Sequence, residues 1–467
     1  MCSSDLVEQI YTGCLAEAAY YIESDGEAVV IDPMREPRPI LDRLREDQAK
    51  LKYVFETHFH ADFVSGHIDL HRETGATIVF GPGAKAGYEI HAASDGEEFK
   101  VGKVTLKLLH TPGHTMESSS LLLLDENGKQ HCVFTGDCLF IGDVGRPDLA
   151  VKSDLTEEDL AGHLYDSLRN KLMPLNDDII VYPNHGAGSA CGKLMSEETF
   201  DTLGNQKKVN YALQDMSKEE FIEKVLDGLA TPPQYFPKNA MINKGGYDSI
   251  DVILDHARRA LDPDHVQKLL NDGAILLDTR EHMAFQNEYI PGSINIGLDG
   301  NFASWVGTLI EDINQPIVLV VEEERIDEAI IRLARVGYNN TVGYLQGCIK
   351  EWKDQGYPIE SIDYITPYAL EKKMKEEKVK LLDSRRKSEF ESEHVQGSEV
   401  LTLDNIRDHL YDLDKDEKYY MYCVTGYRSA TLISILKNHG YNNIVNIEGG
   451  IEGIRETQIP LSEYICP

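Results

Sequence analysis

No apolar run in this chain comes near the roughly 18 residues that a membrane-spanning helix needs. The N-terminal Met1-Cys-Ser-Ser-Asp5 has no basic stretch leading into an apolar core, so no secretory signal is expected. Positive charge is scarce: 46 Lys and Arg stand against 79 Asp and Glu, a net charge of −33. Such a surface repels phosphate backbones and anionic lipid, which argues against nucleic acid and membrane surfaces as partners. The eight cysteines, at 2, 14, 132, 138, 191, 348, 423 and 466, form no CxxC pair and no dense framework. That usage fits reduced thiols in a cytoplasmic protein, one or two of them reactive. The remaining composition, 42% hydrophobic and 27% charged, excludes global disorder. At about 150 residues per domain the 467-residue length predicts about three domains.

The first half alternates short strand-like runs with turns. Ala28–Asp32, Tyr53–Thr57, Ala76–Phe80, Thr105–Leu109, Ser120–Leu124, Cys132–Thr135 and Asp178–Tyr182 read as strands, with helices over Pro39–Gln48 and Glu157–Lys171 between them. The expected class is mixed α/β, with sheets covered by helices. Pro232–Gly246, rich in Pro, Lys and Gly, reads as the end of this unit and the start of a connection.

The second half repeats itself. Leu277–Arg280 is echoed by Leu382–Arg385, Phe285 by Phe390 and Ile290–Ser293 by Val395–Ser398, all 105 residues apart; Gly337–Asn340 recurs 103 residues on as Gly440–Asn443. Each copy reads strand, helix, strand, helix, which predicts two parallel α/β domains of about 100 residues each. A period this long means tandem domains, because solenoid repeats are shorter.

Thr57–Gly66 follows a strand-like run and carries His58, His60 and Asp62 as H-x-H-x-D. His114, Asp137 and His185 each come just after a further strand, where loops can converge at one sheet end. Imidazole and carboxylate suit zinc or non-haem iron, and two His with one carboxylate on one face leave open positions for O₂ and substrate. Any one of these His, taken alone, reads as a satisfied structural residue; the ordered set reads as a metal site.

These motifs resemble the metallo-β-lactamase superfamily over residues 5–245. That superfamily includes two-metal hydrolases of glyoxalase II type and one-iron persulfide dioxygenases. A two-metal hydrolase needs a His after Asp62 as a ligand of its second metal, and this chain has Phe63, whose ring coordinates nothing. The resemblance to the dioxygenases implies one Fe(II) per chain on His58, His114 and Asp137, with His60, Asp62 and His185 orienting ligands or substrate from outside the coordination sphere. Gly142–Asp148 also resembles the dioxygenase pattern. Arg146 within it reads either as an anion contact or as half of a salt bridge. Cys191, in the Gly-rich loop after His185, reads as channel-lining or as an inert buried thiol.

In the last repeat Cys423 ends a strand and precedes a helix that begins near Ala430. Backbone N–H groups at such a position, with Arg428, favour the thiolate and stabilise an outer anionic sulfur. C-x₄-R by itself is a weak motif, because phosphatases use a similar cradle. The surrounding Leu382–Arg385, Glu389–Phe390, His394–Ser398 and Asn446–Gly450 resemble a rhodanese, a sulfurtransferase domain. The loop Cys423, Val424, Thr425, Gly426, Tyr427, Arg428 has the short length of sulfur-transferring members. Subtracting 103 from 423 gives Val320 in the middle copy, followed by an acidic loop to Arg325 with no thiol. That copy reads as inactive, with a structural or interface role.

The expected architecture is therefore an αββα metallo-β-lactamase sandwich over 1–245, a linker with an inactive rhodanese-like domain over 246–360, and an active rhodanese domain over 361–467. This order is similar to bacterial fusions of a persulfide dioxygenase with a sulfurtransferase. The resemblance implies that a low-molecular-weight thiol persulfide, of the glutathione, coenzyme A or bacillithiol type, is oxidised by O₂ to sulfite. Cys423 then passes sulfane sulfur from a second persulfide to sulfite, giving thiosulfate. Joining the steps in one chain raises the effective concentration of the second site. The alternatives are a two-metal thioester hydrolase with an accessory rhodanese, and a non-catalytic persulfide sensor or scaffold. The inactive copy makes a homo-oligomer an expectation.

Overall fold

The structure is a computed structural model that describes residues 7–150 and 155–464; Cys2 and Cys466 lie outside the described residues. The chain divides after Val252 into two compact units, with the short segment Leu333–Tyr338 grouped in the first.

The first unit is built on two six-stranded sheets. One runs in the order Val7–Thr12, Glu17–Ser24, Glu27–Ile31, Lys50–Phe55, Thr77–Phe80, His91–Ala92, and the other Asp201–Thr202, Ile180–Pro183, Gln130–Gly136, Ser119–Leu124, Val104–His110, Glu98–Val101. The continuous apolar run Ala28–Ile31 follows from burial on both faces. Val29 and Ile31 meet Leu106, Leu121 and Phe134 between the sheets, while Ala28 and Val30 pack under Ile40 and Leu44 of the helix Arg38–Glu46. The second sheet is covered in the same way: Val133 and Val181 share a cluster with Leu164 and Leu168, on the helix Glu157–Ser167 and the π-turn that extends it. Thr156 starts that helix with a reciprocal capping box to Asp159. The layers are α, β, β, α.

The connection expected over 232–246 contains instead a helix, Phe236–Gly245, whose buried Asn239 and Asn243 have business inside the unit. Its mean apolar pattern is weak because its inward face is amide, which is why a hydrophobicity reading passes over it.

The second unit holds two five-stranded parallel sheets of identical order. They are Ala260–Leu261, Thr341–Leu345, Ile317–Val320, Ile275–Asp278, Ile294–Asn295, and Asp363–Ile365, Ile444–Ile447, Tyr419–Tyr422, Lys380–Asp383, Ser398–Val400. Strand pairing corrects one alignment. Asp278 pairs with Val320 and Asp383 with Tyr422, so Val321, not Val320, stands opposite Cys423. The two copies differ by one residue between there and the shared Gly-Tyr-Asn-Asn turn: 337 − 321 is 16 and 440 − 423 is 17. An offset taken from that turn is therefore one too large at the loop. Among the described residues no helix is long and apolar enough to cross a membrane.

Candidate metal centre and sulfur-transfer loop

In the first unit the strands deliver His58, His114, Asp137 and His185 from the loops after Lys50–Phe55, Val104–His110, Gln130–Gly136 and Ile180–Pro183. Gly136 is required for their approach. Its φ is +53°, and a Cβ there would lie 2.8 Å from Thr57 Cβ, so only glycine lets Asp137 come up beside the loop that carries His58.

One coordinating atom each of His58, His114 and Asp137 lies within 4.8 Å of the others. The imidazoles are oriented through their far nitrogens. His114 Nδ1 donates to the Arg146 carbonyl at 2.8 Å, which leaves Nε2 as the lone pair, 3.4 Å from Asp137 Oδ2. His58 Nδ1 lies 3.0 Å from Thr57 Oγ1, and donation to that hydroxyl leaves its Nε2 free in the same way. Burial, together with His60, His114 and His185 around it, pushes the His58 pKa well down, so the ring is neutral as a ligand must be. Neither oxygen of Asp137 has a hydrogen-bond partner although the side chain is buried. A buried carboxylate facing two imidazole lone pairs fits a cation between them.

A second group adjoins the first. Asp62, His185 and Cys191 also bring one atom each within 4.8 Å of one another. His185 Nδ1 donates to the Ala16 carbonyl at 3.1 Å; its Nε2 faces Asp62 Oδ2 at 3.4 Å and Asp137 Oδ1 at 3.6 Å with no hydrogen-bond partner. Cys191 is buried, and desolvation with the Asp62 and Asp137 carboxylates pushes its thiol pKa up. Phe63, fully buried, lies against the His60 ring at 4.4 Å between centroids.

His60 is turned elsewhere. Its Nε2 lies 2.9 Å from Asp32 Oδ1; burial lowers its pKa, and the Asp32 carboxylate outweighs that and lifts it to about 9. Of the two readings of Arg146, the structure has the salt bridge and not a free anion contact. Its guanidinium forks onto Asp148 at 2.7 and 2.6 Å and donates to the carbonyls of Ala190 and Ala230 at 3.3 and 2.6 Å. What Arg146 gives the site is its own carbonyl, on His114.

Four residues of this centre were passed over by sequence reasoning. Asp32, at φ +49°, accepts from the Thr57 N–H, His60 and Asn184 at 2.8, 2.9 and 2.7 Å. Its signal was a carboxylate ending an apolar strand just before Pro33. Asn184 stands beside His185 within the Pro-Asn-His motif. Glu17 is wholly buried with both carboxylate oxygens unpartnered; burial and the neighbouring Asp62, Asp32, Asp137 and Glu56 raise its pKa well above the usual carboxylate range. Asn243 holds the metal-motif loop itself. Its Nδ2 donates to the carbonyls of His60 and Phe63 at 2.8 and 2.7 Å, and its Oδ1 accepts from the Ser65 N–H at 3.0 Å. Asn243→Ala strips partners from three buried backbone groups and is expected to cost on the order of 3 kcal/mol. Urea unfolding with metal content measured in parallel checks it, and an unchanged midpoint would refute the role.

In the second unit Cys423 is buried at the end of the strand Tyr419–Tyr422, ahead of the helix Tyr427–Asn438. The Gly426 N–H donates to Cys423 Sγ at 3.1 Å, and the Ser429 hydroxyl donates at 3.7 Å. Val424 is half-buried and Thr425 exposed. Gly450 closes the loop from below; a Cβ there would lie 2.3 Å from the Val424 carbonyl oxygen. Arg428 forks onto Glu389 at 2.6 and 2.8 Å, which fixes it within electrostatic reach of Cys423. The loop brings one backbone N–H and one hydroxyl to a single sulfur, an arrangement suited to a nucleophilic thiolate and to an anionic outer sulfur. In the middle copy Glu322, Glu323 and Glu324 are exposed, and Arg325 is paired to Asp299 and Glu328. That loop carries no thiol, and its one cationic side chain is paired to carboxylates.

Residues 12–185 match the metallo-beta-lactamase superfamily, and residues 262–355 and 366–457 each match the rhodanese-like domain. A probable hydroxyacylglutathione hydrolase of Schizosaccharomyces pombe is 32% identical over 41% of this chain and 72% of its own length. The human mitochondrial persulfide dioxygenase ETHE1 is 30% identical over 44% of this chain and 73% of its own. A solved structure described as a metallo-beta-lactamase from Staphylococcus aureus superposes with a TM-score of 0.65 at 31% identity, covering 72% of this chain and 98% of that one. With both halves matched, the chain belongs to the metallo-beta-lactamase superfamily, in a form that carries two tandem rhodanese-like domains after the metallo-beta-lactamase domain.

Proposed function

We propose that the chain is a non-haem iron persulfide dioxygenase joined to a sulfurtransferase. His58, His114 and Asp137 hold one Fe(II). One low-molecular-weight thiol persulfide, one O₂ and one water give one thiol, one sulfite and two protons. Iron at this position supplies O₂ activation beside the terminal sulfur. The protein's part is to hold the two imidazoles as neutral ligands, through the Thr57 hydroxyl and the Arg146 carbonyl, and to keep the third, anionic ligand free of competing donors. In the second unit the Cys423 thiolate attacks the outer sulfur of a further persulfide and releases the thiol. The resulting cysteine persulfide gives that sulfur to sulfite, which leaves as thiosulfate and restores the thiolate.

The observation that carries this reading is the joint presence, in one chain, of a buried two-His, one-carboxylate donor set and a Cys423 loop whose Gly426 N–H donates to the sulfur. Persulfide is a substrate class that serves both. A second reading, a two-metal thioester hydrolase, is favoured by the Asp62, His185 and Cys191 donors, which could hold another cation despite Phe63. Metal analysis with oxygen uptake on glutathione persulfide separates them. One iron per chain with sulfite formed in air is expected. About two zinc ions per chain, with thioester hydrolysis and no oxygen uptake, would establish the second reading.

The middle copy does no sulfur chemistry in this scheme. Cys348, half-buried at φ +53° where the last copy has Gly450, has its thiol pKa raised by desolvation. Cys348→Ser is expected to leave thiosulfate:cyanide sulfurtransferase activity within about twofold of the parent, as for a substitution outside the machinery. A larger loss would assign this copy a chemical role.

A further inference from the structure

The thiol-free middle copy meets the Cys423 loop directly. Tyr427, the first residue of the helix after the loop, donates its hydroxyl to the Gly297 carbonyl of the middle copy at 2.9 Å. Its ring lies in a cradle that exists because two residues there have no side chain. A Cβ on Gly300 would come 2.7 Å from Tyr427 Cζ, and one on Gly297 would come 3.2 Å from Cε2. Neither glycine has a positive φ, so close approach, not backbone freedom, is what glycine provides. Burial raises the Tyr427 pKa, which keeps the phenol protonated and therefore a donor.

The middle copy touches the loop a second time. His282 sits against Gly426, the residue whose N–H donates to Cys423 Sγ; a Cβ on Gly426 would lie 3.1 Å from His282 Nε2. Behind the loop, Asn446 of the last copy donates to Gln286 of the middle copy at 2.7 Å, and the Asn295 N–H donates to the Ser434 hydroxyl at 3.1 Å. Both bonds are buried. The 105-residue offset of the repeat puts Lys387, Thr402 and Asn405 where the middle copy has His282, Gly297 and Gly300. The copy without the thiol is thus the one with the cradle.

We propose that the middle copy is a working part of the sulfur-transfer site. Through Gly297 and Gly300 it clamps Tyr427, through His282 it backs Gly426, and the clamp holds the loop so that the Gly426 N–H stays aimed at the sulfur of Cys423. Tyr427 and His282 are positioning residues; Cys423 remains the nucleophile. The proposal rests on the reading of Cys423 as the sulfur carrier. Its physical content is preorganisation: Gly426 has φ +119°, and the donor it offers acts on the outer sulfur only if the loop is already in place.

The test uses the full chain, with thiosulfate as sulfur donor and cyanide as acceptor. Gly300→Ala drives a methyl into the Tyr427 ring. It is expected to lower the transfer kcat about 10- to 100-fold, the cost of a misplacement near an ångström, with a smaller change in KM. Tyr427→Phe keeps the ring and removes the tether, and is expected to lower kcat less. The deciding measurement is the pair. In a Tyr427→Ala background Gly300→Ala should cost nothing further, because the ring it displaces is gone. Oxygen uptake on glutathione persulfide should be unchanged in all variants. Additive losses, or a full kcat in Gly300→Ala, would reduce the middle copy to a scaffold. If Gly300→Ala does not fold, Tyr427→Phe at full kcat overturns the clamp by itself. Should Cys423→Ser keep sulfurtransferase activity, the underlying reading fails instead, and the two failures are told apart.

Discussion

Cys423→Ser should leave oxygen uptake on persulfide intact and turn the product from thiosulfate into free sulfite. Serine keeps the size of the side chain and can accept the Gly426 N–H that now reaches Sγ at 3.1 Å, so the loop has no reason to rearrange. What it loses is a polarizable thiolate. A hydroxyl at neutral pH neither attacks a sulfane sulfur nor carries one. Transfer to sulfite should therefore fall to background, a loss well beyond about 1,000-fold, while the oxidation step continues on His58, His114 and Asp137, which belong to the other unit. The measurement is incubation with glutathione persulfide in air, followed by chromatographic separation of thiol-labelled sulfite and thiosulfate. A variant with normal fold and iron content that has stopped consuming O₂ would place Cys423 before or within the iron chemistry and end the division of labour proposed here.

How much of this was readable in the sequence depends on what each residue does. The strands read in the first unit were legible from short apolar runs, buried on both faces at Ala28–Ile31 and alternating at Val104–His110, and the clustered histidines because they recur just past strand ends. The repeat was legible as repetition, down to the Asp278 to Arg280 and Asp383 to Arg385 ion pairs that both copies form at 2.6 and 2.7 Å. Residues that act by hydrogen bonding to backbone were not. Asn243 comes 178 residues after the Ser65 N–H that it accepts from, and no local pattern ties them. The salt bridge was one of the two readings open for Arg146; its carbonyl contact to His114 was not legible, because every residue has a carbonyl. The place of Val321 opposite Cys423 needed strand pairing, since a single-residue difference inside a repeat moves every later match. Cys191 was noticed as a lone thiol; that it shares a pocket with Asp62 and His185 depends on a loop whose path the sequence does not specify.

His114→Ala is expected to abolish oxygen uptake and to take the iron with it. The two effects have one cause. In the proposed set His114 is one of three ligands, and a two-ligand remnant of one imidazole and one carboxylate no longer defines the facial set that leaves open positions. Loss of a partner that only orients a ligand already costs about 10- to 100-fold in affinity or activity, so loss of the ligand itself should exceed that. The substitution also leaves the Arg146 carbonyl without the Nδ1–H it accepts at 2.8 Å, in a buried position, which adds about 1–3 kcal/mol of destabilisation and loosens the loop at the site. Iron per chain, measured after purification, should fall from near one to near zero, with no sulfite formed from persulfide. The second unit supplies the internal control. Given sulfite and persulfide together, the same variant should still make thiosulfate at the parent rate, because Cys423 and the Gly426 N–H are untouched. Retained iron with retained oxygen uptake would remove His114 from the ligand set. Retained iron with lost uptake would assign it to substrate rather than metal, and the unpartnered oxygens of Asp137 would then have to find their cation through the Asp62, His185 and Cys191 group beside them.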